Sequence, residues 1–225
     1  MIKNLINSIL LLLISSTCLF SQVRFGIKAG PNFANIQSTG GEDADLGILP
    51  LYITSFHIGG LAEFKISRIL FFQPGISLSG KGYKIDYSSS SDDYSESLKG
   101  NANLLYMEAP LNIIAKFKAG SGNFLIGSGP YIGYALSGKS KTDIKVDAPG
   151  TEDDFSINSK EDMEFGKEEN QINPLDFGVN FISGYELKRG IFATLGFGLG
   201  LKNMSNSSLE TTKNKIISLS FGYKF

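Results

Sequence analysis

The chain contains no tryptophan, one cysteine and one histidine. These absences exclude a disulfide scaffold, a structural zinc site and most catalysis that depends on cysteine or histidine, so neither a metal nor a cofactor is predicted. An excess of positive charge is also lacking, since 21 Lys and Arg residues are set against 22 Asp and Glu. Nothing in that balance favours a nucleic-acid partner. After residue 22, no apolar run is long enough for a membrane-spanning helix.

The first residues have the layout of a secretory signal. Lys3 precedes an apolar run from Leu5 to Ile14, and a more polar stretch follows up to the small residue Ser21. The apolar run is too short to cross a membrane as a helix. We therefore predict that residues 1–21 are a cleaved signal peptide and that residues 22–225 form one exported domain.

The exported part is rich in residues that favour strands and tight turns, with 26 Gly, 17 Phe and 9 Tyr in the whole chain. Apolar and polar residues alternate with a period of two in eight segments. In the fourth segment, for example, Met107 and Leu111 lie on one face and Glu108, Asn112 and Lys116 on the other. The predicted fold class is all-β, an eight-stranded antiparallel up-and-down transmembrane β-barrel.

The lengths of the connections alternate in the same way. Short links at residues 67–68, 119–123 and 188–190 separate long ones. The predicted long loops are residues 37–55, 86–103, 138–173 and 203–214. Outer-membrane barrels have short turns in the periplasm and long loops outside the cell. The pattern therefore predicts the outer membrane of a Gram-negative-type envelope.

Ionisable residues within the segments all fall on the polar face. A barrel of eight strands has an interior just filled by its side chains, and buried charges must be paired. We therefore favour a structural network of ion pairs in the lumen over a selectivity lining for a solute path. The predicted lumen residues are Lys28, Glu63, Lys65, Lys81, Glu108, Lys116, Asp176 and Lys202.

The C-terminal segment places apolar residues at every second position up to the last residue. Phe221, Tyr223 and Phe225 resemble the assembly signal of outer-membrane barrels, which implies the barrel-assembly machinery as a partner. The segments 26–33, 106–111 and 200–204 resemble the PorT-like ("porin family") outer-membrane β-barrel domain. That resemblance implies a porin-like role or an association with protein secretion, and it supplies no catalytic residue.

The predicted function is structural or binding. Loop 138–173 has ten acidic residues and five lysines, and we expect acidic, mobile loops presented outside the cell to an extracellular or envelope partner. The barrel is expected to be a monomer embedded in outer-membrane lipid. Narrow transport of small solutes and a PorT-like accessory role in secretion are the alternatives. An enzyme is not predicted, because His57, placed at the outer end of the second segment, has no serine or cysteine nucleophile beside it.

Overall fold

The computed structural model describes residues 23–39, 50–91, 94–147, 155–168, 171–206 and 211–225. The predicted signal peptide lies outside the described residues. Within these ranges, no helix has the length and apolar character needed to cross a membrane. The strands of the described residues are β1 (Val23–Thr39), β2 (Ile53–Lys65), β3 (Leu70–Ser91), β4 (Tyr94–Ala119), β5 (Gly122–Asp147), β6 (Phe155–Asp162), β7 (Leu175–Leu187), β8 (Ile191–Gly200) and β9 (Thr211–Lys224).

Eight of these strands form a closed antiparallel ring. Each strand from β1 to β5 pairs with the next, β5 pairs with β7, and β7, β8 and β9 follow in order. The ring closes where β9 pairs with β1, with Ile217 opposite Phe33. Because every strand of the ring has two neighbours, its backbone ladder leaves no open edge. The prediction of an eight-stranded up-and-down barrel is confirmed.

The faces of the ring are inverted relative to a soluble barrel. Large apolar side chains point outward, and Ile27 and Phe56 are each 61% exposed. Charged side chains point inward, and Glu63, Lys81 and Asp176 are at most 1% exposed. Since an exposed apolar belt of this extent is unfavourable in water, the outer surface fits a hydrocarbon environment.

Tight turns join the strands at one end, which we call the short-turn end. Gly120 and Ser121 connect β4 to β5, and residues 188–190 connect β7 to β8. Gly120 has φ 56° and Gly190 has φ 90°, a region that residues with a Cβ rarely adopt. These two glycines let the chain reverse within two or three residues.

At the opposite end, the long-loop end, strands continue further than the sequence analysis predicts. β3 runs to Ser91 and β4 begins at Tyr94, so most of the predicted loop 86–103 is paired backbone. Within the predicted loop 138–173, β5 extends to Asp147, and β6 pairs with the outer part of β5. The predicted loops 37–55 and 203–214 are shortened likewise, because β1 reaches Thr39 and β9 begins at Thr211.

The paired extensions form a four-stranded sheet beyond the ring, which we call the projecting sheet. It consists of residues 81–91 of β3, 94–105 of β4, 137–147 of β5, and β6. Continuous backbone ladders join its strands, and the buried residues Ala102 and Leu104 give it an apolar face. The described part of loop 138–173 is therefore largely strand, which differs from the expected mobile loop.

A second group of residues at the long-loop end folds over the lumen. We call residues 163–168, 171–172 and 203–206 the cap. Phe165 forms a backbone bridge with Ile172, and Ile172 forms another with Ser205. The Asn206 side-chain amide donates to the carbonyl oxygens of Gly166, Glu168 and Gln171, at 3.1, 3.1 and 2.9 Å. The two segments of the cap are thereby fastened to each other.

Candidate functional site

Five charged side chains meet across the lumen near the short-turn end. This basal cluster consists of Arg24, Glu63, Lys116, Glu186 and Lys224. They project from β1, β2, β4, β7 and β9, so the ion pairs connect strands that are not all neighbours in the ring. Inward positions on a strand recur at every second residue, which is how each of these strands contributes a charge at the same height.

The two carboxylates of the basal cluster are shared between the cations. Lys116 Nζ lies 2.6 Å from Glu63 Oε1 and 2.7 Å from Glu186 Oε2. Lys224 Nζ lies 2.5 Å from Glu63 Oε2 and 2.9 Å from Glu186 Oε2. Arg24 Nη1 adds a contact of 2.6 Å to Glu186 Oε1. Charge-assisted hydrogen bonds of this length are the strong class of polar contact.

A second group, the distal cluster, lies nearer the long-loop end. Lys81 Nζ lies 2.5 Å from Glu108 Oε1 and 2.7 Å from Asp176 Oδ2. Asp176 Oδ2 also accepts hydrogen bonds from the Tyr131 hydroxyl at 3.2 Å and the Asn214 amide at 2.8 Å. Asp176 Oδ1 is buried and has no hydrogen-bond partner among the described residues. In the distal cluster, a single ammonium group therefore contacts both carboxylates.

Aromatic rings and the cap enclose the distal cluster. Lys81 Nζ lies 4.7 Å from the ring centroid of Tyr106 and 4.6 Å from that of Tyr131, within the range of cation–π attraction. The Tyr106 hydroxyl donates to the sulfur of Met204, a buried cap residue, at 3.5 Å. Phe165 of the cap packs against an apolar group that includes Tyr106. The lumen is thus covered directly above Lys81.

Between the clusters lies the single histidine. His57 is buried, with Nδ1 2.8 Å from Asn32 Oδ1 and Nε2 2.8 Å from Ser220 Oγ. It pairs with Gly30 on β1 and Ser79 on β3, which places it in the middle of the ring and not at its outer end. The expectation that no serine lies beside His57 is wrong, because closure of the ring brings β9 against the strands that precede it in the chain.

The space beside His57 is a small cavity with both polar and apolar lining residues, which we call the central cavity. Its volume is about 70 Å³, and Lys28, Glu108, Asn112 and Ser220 are among its lining residues. Asn112 Oδ1 is buried without a hydrogen-bond partner among the described residues. A volume of this size holds on the order of five water molecules. Within the described ranges, no three His, Cys, Asp or Glu side chains converge as metal ligands.

The structure brings together five of the eight predicted lumen residues. Glu63 and Lys116 belong to the basal cluster, and Lys81, Glu108 and Asp176 to the distal cluster. The other three lie outside both clusters. Lys28 is half-buried beside the central cavity, Lys65 is exposed at the end of β2, and Lys202 is half-buried after the end of β8. Both Lys65 and Lys202 occupy inward positions of the alternating pattern. Lys65 follows Phe64, the last residue of β2 that pairs with β1, whereas the backbone nitrogen of Lys202 donates to the carbonyl oxygen of Phe177 at 3.3 Å.

Three members of the basal cluster are missing from the predicted set. Arg24, Glu186 and Lys224 all occupy polar positions of alternating segments. Because alternate residues of a strand face the same side, these positions mark them as inward-facing. Their partners depend on how the strands are staggered around the closed ring, which no single segment reveals.

A closed ring with an apolar outside and ion pairs inside defines a membrane-spanning β-barrel. The chain belongs to the outer membrane protein beta-barrel domain family, which matches residues 16–206. Its location is accordingly the outer membrane. In such barrels the short-turn end faces the periplasm and the long-loop end faces the outside.

Several solved barrels are similar to this chain at low identity. Ail, the attachment invasion locus protein of Yersinia pestis, is 11% identical, with 90% of this chain and 98% of that chain covered and a TM-score of 0.41. Neisserial surface protein A is 16% identical, with 89% and 97% covered and a TM-score of 0.40. The outer membrane protease OmpT of Escherichia coli is 9% identical, with 90% and 96% covered and a TM-score of 0.33. No curated protein matches the chain significantly. Likeness at this level transfers no activity.

Proposed function

We propose that the protein is a non-conducting outer-membrane barrel with a structural or binding role. The observation that carries this proposal is the basal cluster, in which Glu63 and Glu186 are bridged by Lys116 and Lys224 at 2.5–2.9 Å. These contacts link β2, β4, β7 and β9 across the lumen. To open a path, buried charges would have to separate, and removing one partner of a buried pair costs about 3–5 kcal/mol.

Two further features argue against the transport alternative. The central cavity, at about 70 Å³, holds on the order of five water molecules and lies between the two charge clusters. The cap covers the distal cluster, with Met204 buried against Tyr106 and Asn214. The basal cluster at one end and the cap at the other therefore support a lumen that does not conduct.

The arrangement of Ser220, His57 and Asn32 has the order of groups found in nucleophilic hydrolases. An ester or amide bond would have to reach the Ser220 hydroxyl, however, and Ser220 and His57 are both buried inside the ring. We infer that these side chains hydrogen-bond one another to satisfy a polar interior. The proposal is therefore a protein without catalytic activity.

The binding surfaces of this barrel lie outside the lumen. The apolar belt contacts lipid, and the projecting sheet extends beyond it, where it is accessible to an extracellular or envelope partner. Phe221, Tyr223 and Phe225 point outward from the last strand and are 57%, 45% and 67% exposed. We propose that they are available to the barrel-assembly machinery during insertion. The barrel is proposed to act as a monomer.

Planar-bilayer recording of the purified barrel tests the proposal. We expect no conductance steps from the wild-type protein at any voltage. The double variant Glu63→Gln/Glu186→Gln removes both basal carboxylates, so the cations repel one another and the base of the lumen loosens. Ion leak should then appear. The matched control is Glu161→Gln/Glu168→Gln, which neutralises two exposed carboxylates at the other end. Regular conductance steps from the wild type would contradict the proposal.

The secretion-accessory role implied by the PorT-like resemblance stays a prediction. Co-purification from intact envelopes tests it directly. Stoichiometric recovery of secretion components with the barrel would favour an accessory role, and recovery of the barrel alone would favour a free-standing one.

A further inference from the structure

The projecting sheet has two faces of opposite character. Buried Ala102 and Leu104 of β4 mark the inward face, so Lys99 and Asn101 point outward. Strand register carries this assignment across the sheet, because directly paired residues lie on the same face. The inward face is largely apolar, and the outward face is rich in lysine.

One cross-strand row on the outward face contains three lysines, and we call it the lysine row. Lys84 of β3 pairs with Asn101 of β4, Asn101 pairs with Lys141 of β5, and Lys141 pairs with Lys160 of β6. Lys84, Lys141 and Lys160 are all exposed. The next outward row places Lys99 between Asp86 and Asp143.

The pairing of Lys141 with Lys160 is unfavourable in isolation. Like charges directly opposite on neighbouring strands repel, and they destabilise the sheet. Local acids offset this repulsion only in part. Asp86 lies 3.4 Å from Lys84 in an exposed ion pair, which is worth little in water, and the Asp143 carboxylate accepts a hydrogen bond from Asn158. The row therefore keeps a net positive field that an anion would neutralise.

The lysines also line a concavity. Its volume is about 210 Å³. Its polar lining includes the side chains Lys84, Lys99, Asn101, Lys141, Asn158 and Lys160. Asp143 is the one carboxylate in that lining. Four ammonium groups with amide donors between them match the oxygens of a phosphate group.

The height of the row above the apolar belt indicates which phosphate groups it can reach. Leu136 is the last large apolar side chain exposed on the outer face of β5. Lys139 and Lys141 follow it by three and five residues, or about 10–16 Å along the strand. With the strand tilt usual in such barrels, the height is about 7–12 Å above the apolar belt. At this level, headgroups replace hydrocarbon.

We propose that the lysine row binds the phosphate groups of outer-leaflet lipid headgroups. The outer surface of the barrel that contacts acyl chains continues toward the long-loop end into the lysine row. A lipid bound against the apolar belt therefore places its headgroup beside these lysines. Surface lysines near an anionic headgroup layer each contribute to such attraction. The interaction fixes the depth of the barrel in the membrane and retains phosphorylated lipid beside the projecting sheet.

The test compares two triple variants of the full barrel. Lys84→Gln/Lys141→Gln/Lys160→Gln removes the lysine row. Lys65→Gln/Lys118→Gln/Lys188→Gln removes three exposed lysines at the short-turn end and changes the net charge equally. Binding of diphosphoryl lipid A in mixed micelles is measured by native mass spectrometry, and gel mobility with and without boiling checks that each variant is folded.

We expect the lysine-row variant to bind diphosphoryl lipid A on the order of a hundredfold more weakly than wild type, given the contribution of each surface lysine. The short-turn variant should bind as wild type does. Dephosphorylated lipid A should bind both triple variants and the wild type equally. Unchanged binding by the lysine-row variant, or an equal loss in both variants, would overturn the proposal. So would tight binding of soluble heparin or inorganic phosphate at the row without any preference for the phosphorylated lipid.

Discussion

The basal and distal clusters balance their charges in opposite ways. In the basal cluster, three cations surround two carboxylates, and both Glu63 and Glu186 contact more than one cation. In the distal cluster, Lys81 is the one cation that contacts Glu108 and Asp176. The basal cluster is therefore redundant in positive charge, and the distal cluster depends on a single ammonium group.

This difference shows that the number of buried ion pairs is a poor guide to their importance. The penalty for a buried charge is set by what remains when its partner is lost. Loss of Lys116 leaves Lys224 and Arg24 in contact with the basal carboxylates. Loss of Lys81 leaves Asp176 with only neutral donors such as Tyr131 and Asn214, while Glu108 keeps only the through-space attraction of Lys28, which lines the same cavity.

Replacement of Lys81 should have the largest effect. Lys81→Met keeps the volume of the side chain but removes the cation that contacts Glu108 and Asp176. We expect the free energy of unfolding to fall by about 3–5 kcal/mol. Urea unfolding of the barrel in lipid vesicles measures this change. Lys65→Met is the matched control, because Lys65 is exposed and should alter stability little.

A compensated variant sharpens the same prediction. Lys81→Met/Glu108→Gln/Asp176→Asn removes the orphaned charges together with their cation, and neutral groups of similar shape often replace buried ion pairs at little cost. Most of the lost stability should return. If the triple variant were no more stable than Lys81→Met, packing of the lysine stem against Tyr106 and Tyr131 would be the cause, and charge balance would not be.

Replacement of Lys116 should have a smaller effect. Lys116→Met removes two ion pairs, yet Lys224 stays within 2.9 Å of both carboxylates. We expect a loss of about 1–2 kcal/mol, near the value of a charged hydrogen bond with a surviving alternative partner. The same urea titration measures it. A loss equal to that in Lys81→Met would remove the distinction between the clusters.

The sequence predicts the ring well because the bilayer demands a strict pattern. Lipid penalises a charge on the outer face, so residues such as Glu63, Lys81 and Asp176 must be inward, and parity alone locates them. Parity does not reveal pairing. Whether Glu186 meets Lys116 depends on the stagger of strands around the ring, which is a property of the closed barrel.

The projecting sheet could have been predicted further than it was. The sequence 83–87 alternates as Tyr, Lys, Ile, Asp, Tyr, and 144–147 as Ile, Lys, Val, Asp, so period two continues past the membrane. If each spanning strand is expected to have about ten residues, the predicted strands end before the real ones do. The cap, in contrast, has no periodic signal, because Met204 and Phe165 are placed by tertiary contacts.

Weakening the cap should have the smallest effect on barrel stability, because the cap covers only the distal cluster. In Asn206→Ala, three carbonyl oxygens lose their shared donor, which weakens the cap by about 1–2 kcal/mol. Local opening should become about tenfold more frequent. Limited trypsin cleavage after the exposed Lys167 measures this opening, whereas cleavage after Lys188 at the short-turn end should not change.

The urea midpoint of the barrel should stay near that of the wild type, because the basal cluster and the ladder of the ring are untouched. A large fall in that midpoint would mean that the cap and the ring unfold as one cooperative unit, and that the distal cluster owes its stability to the cap and not to Lys81.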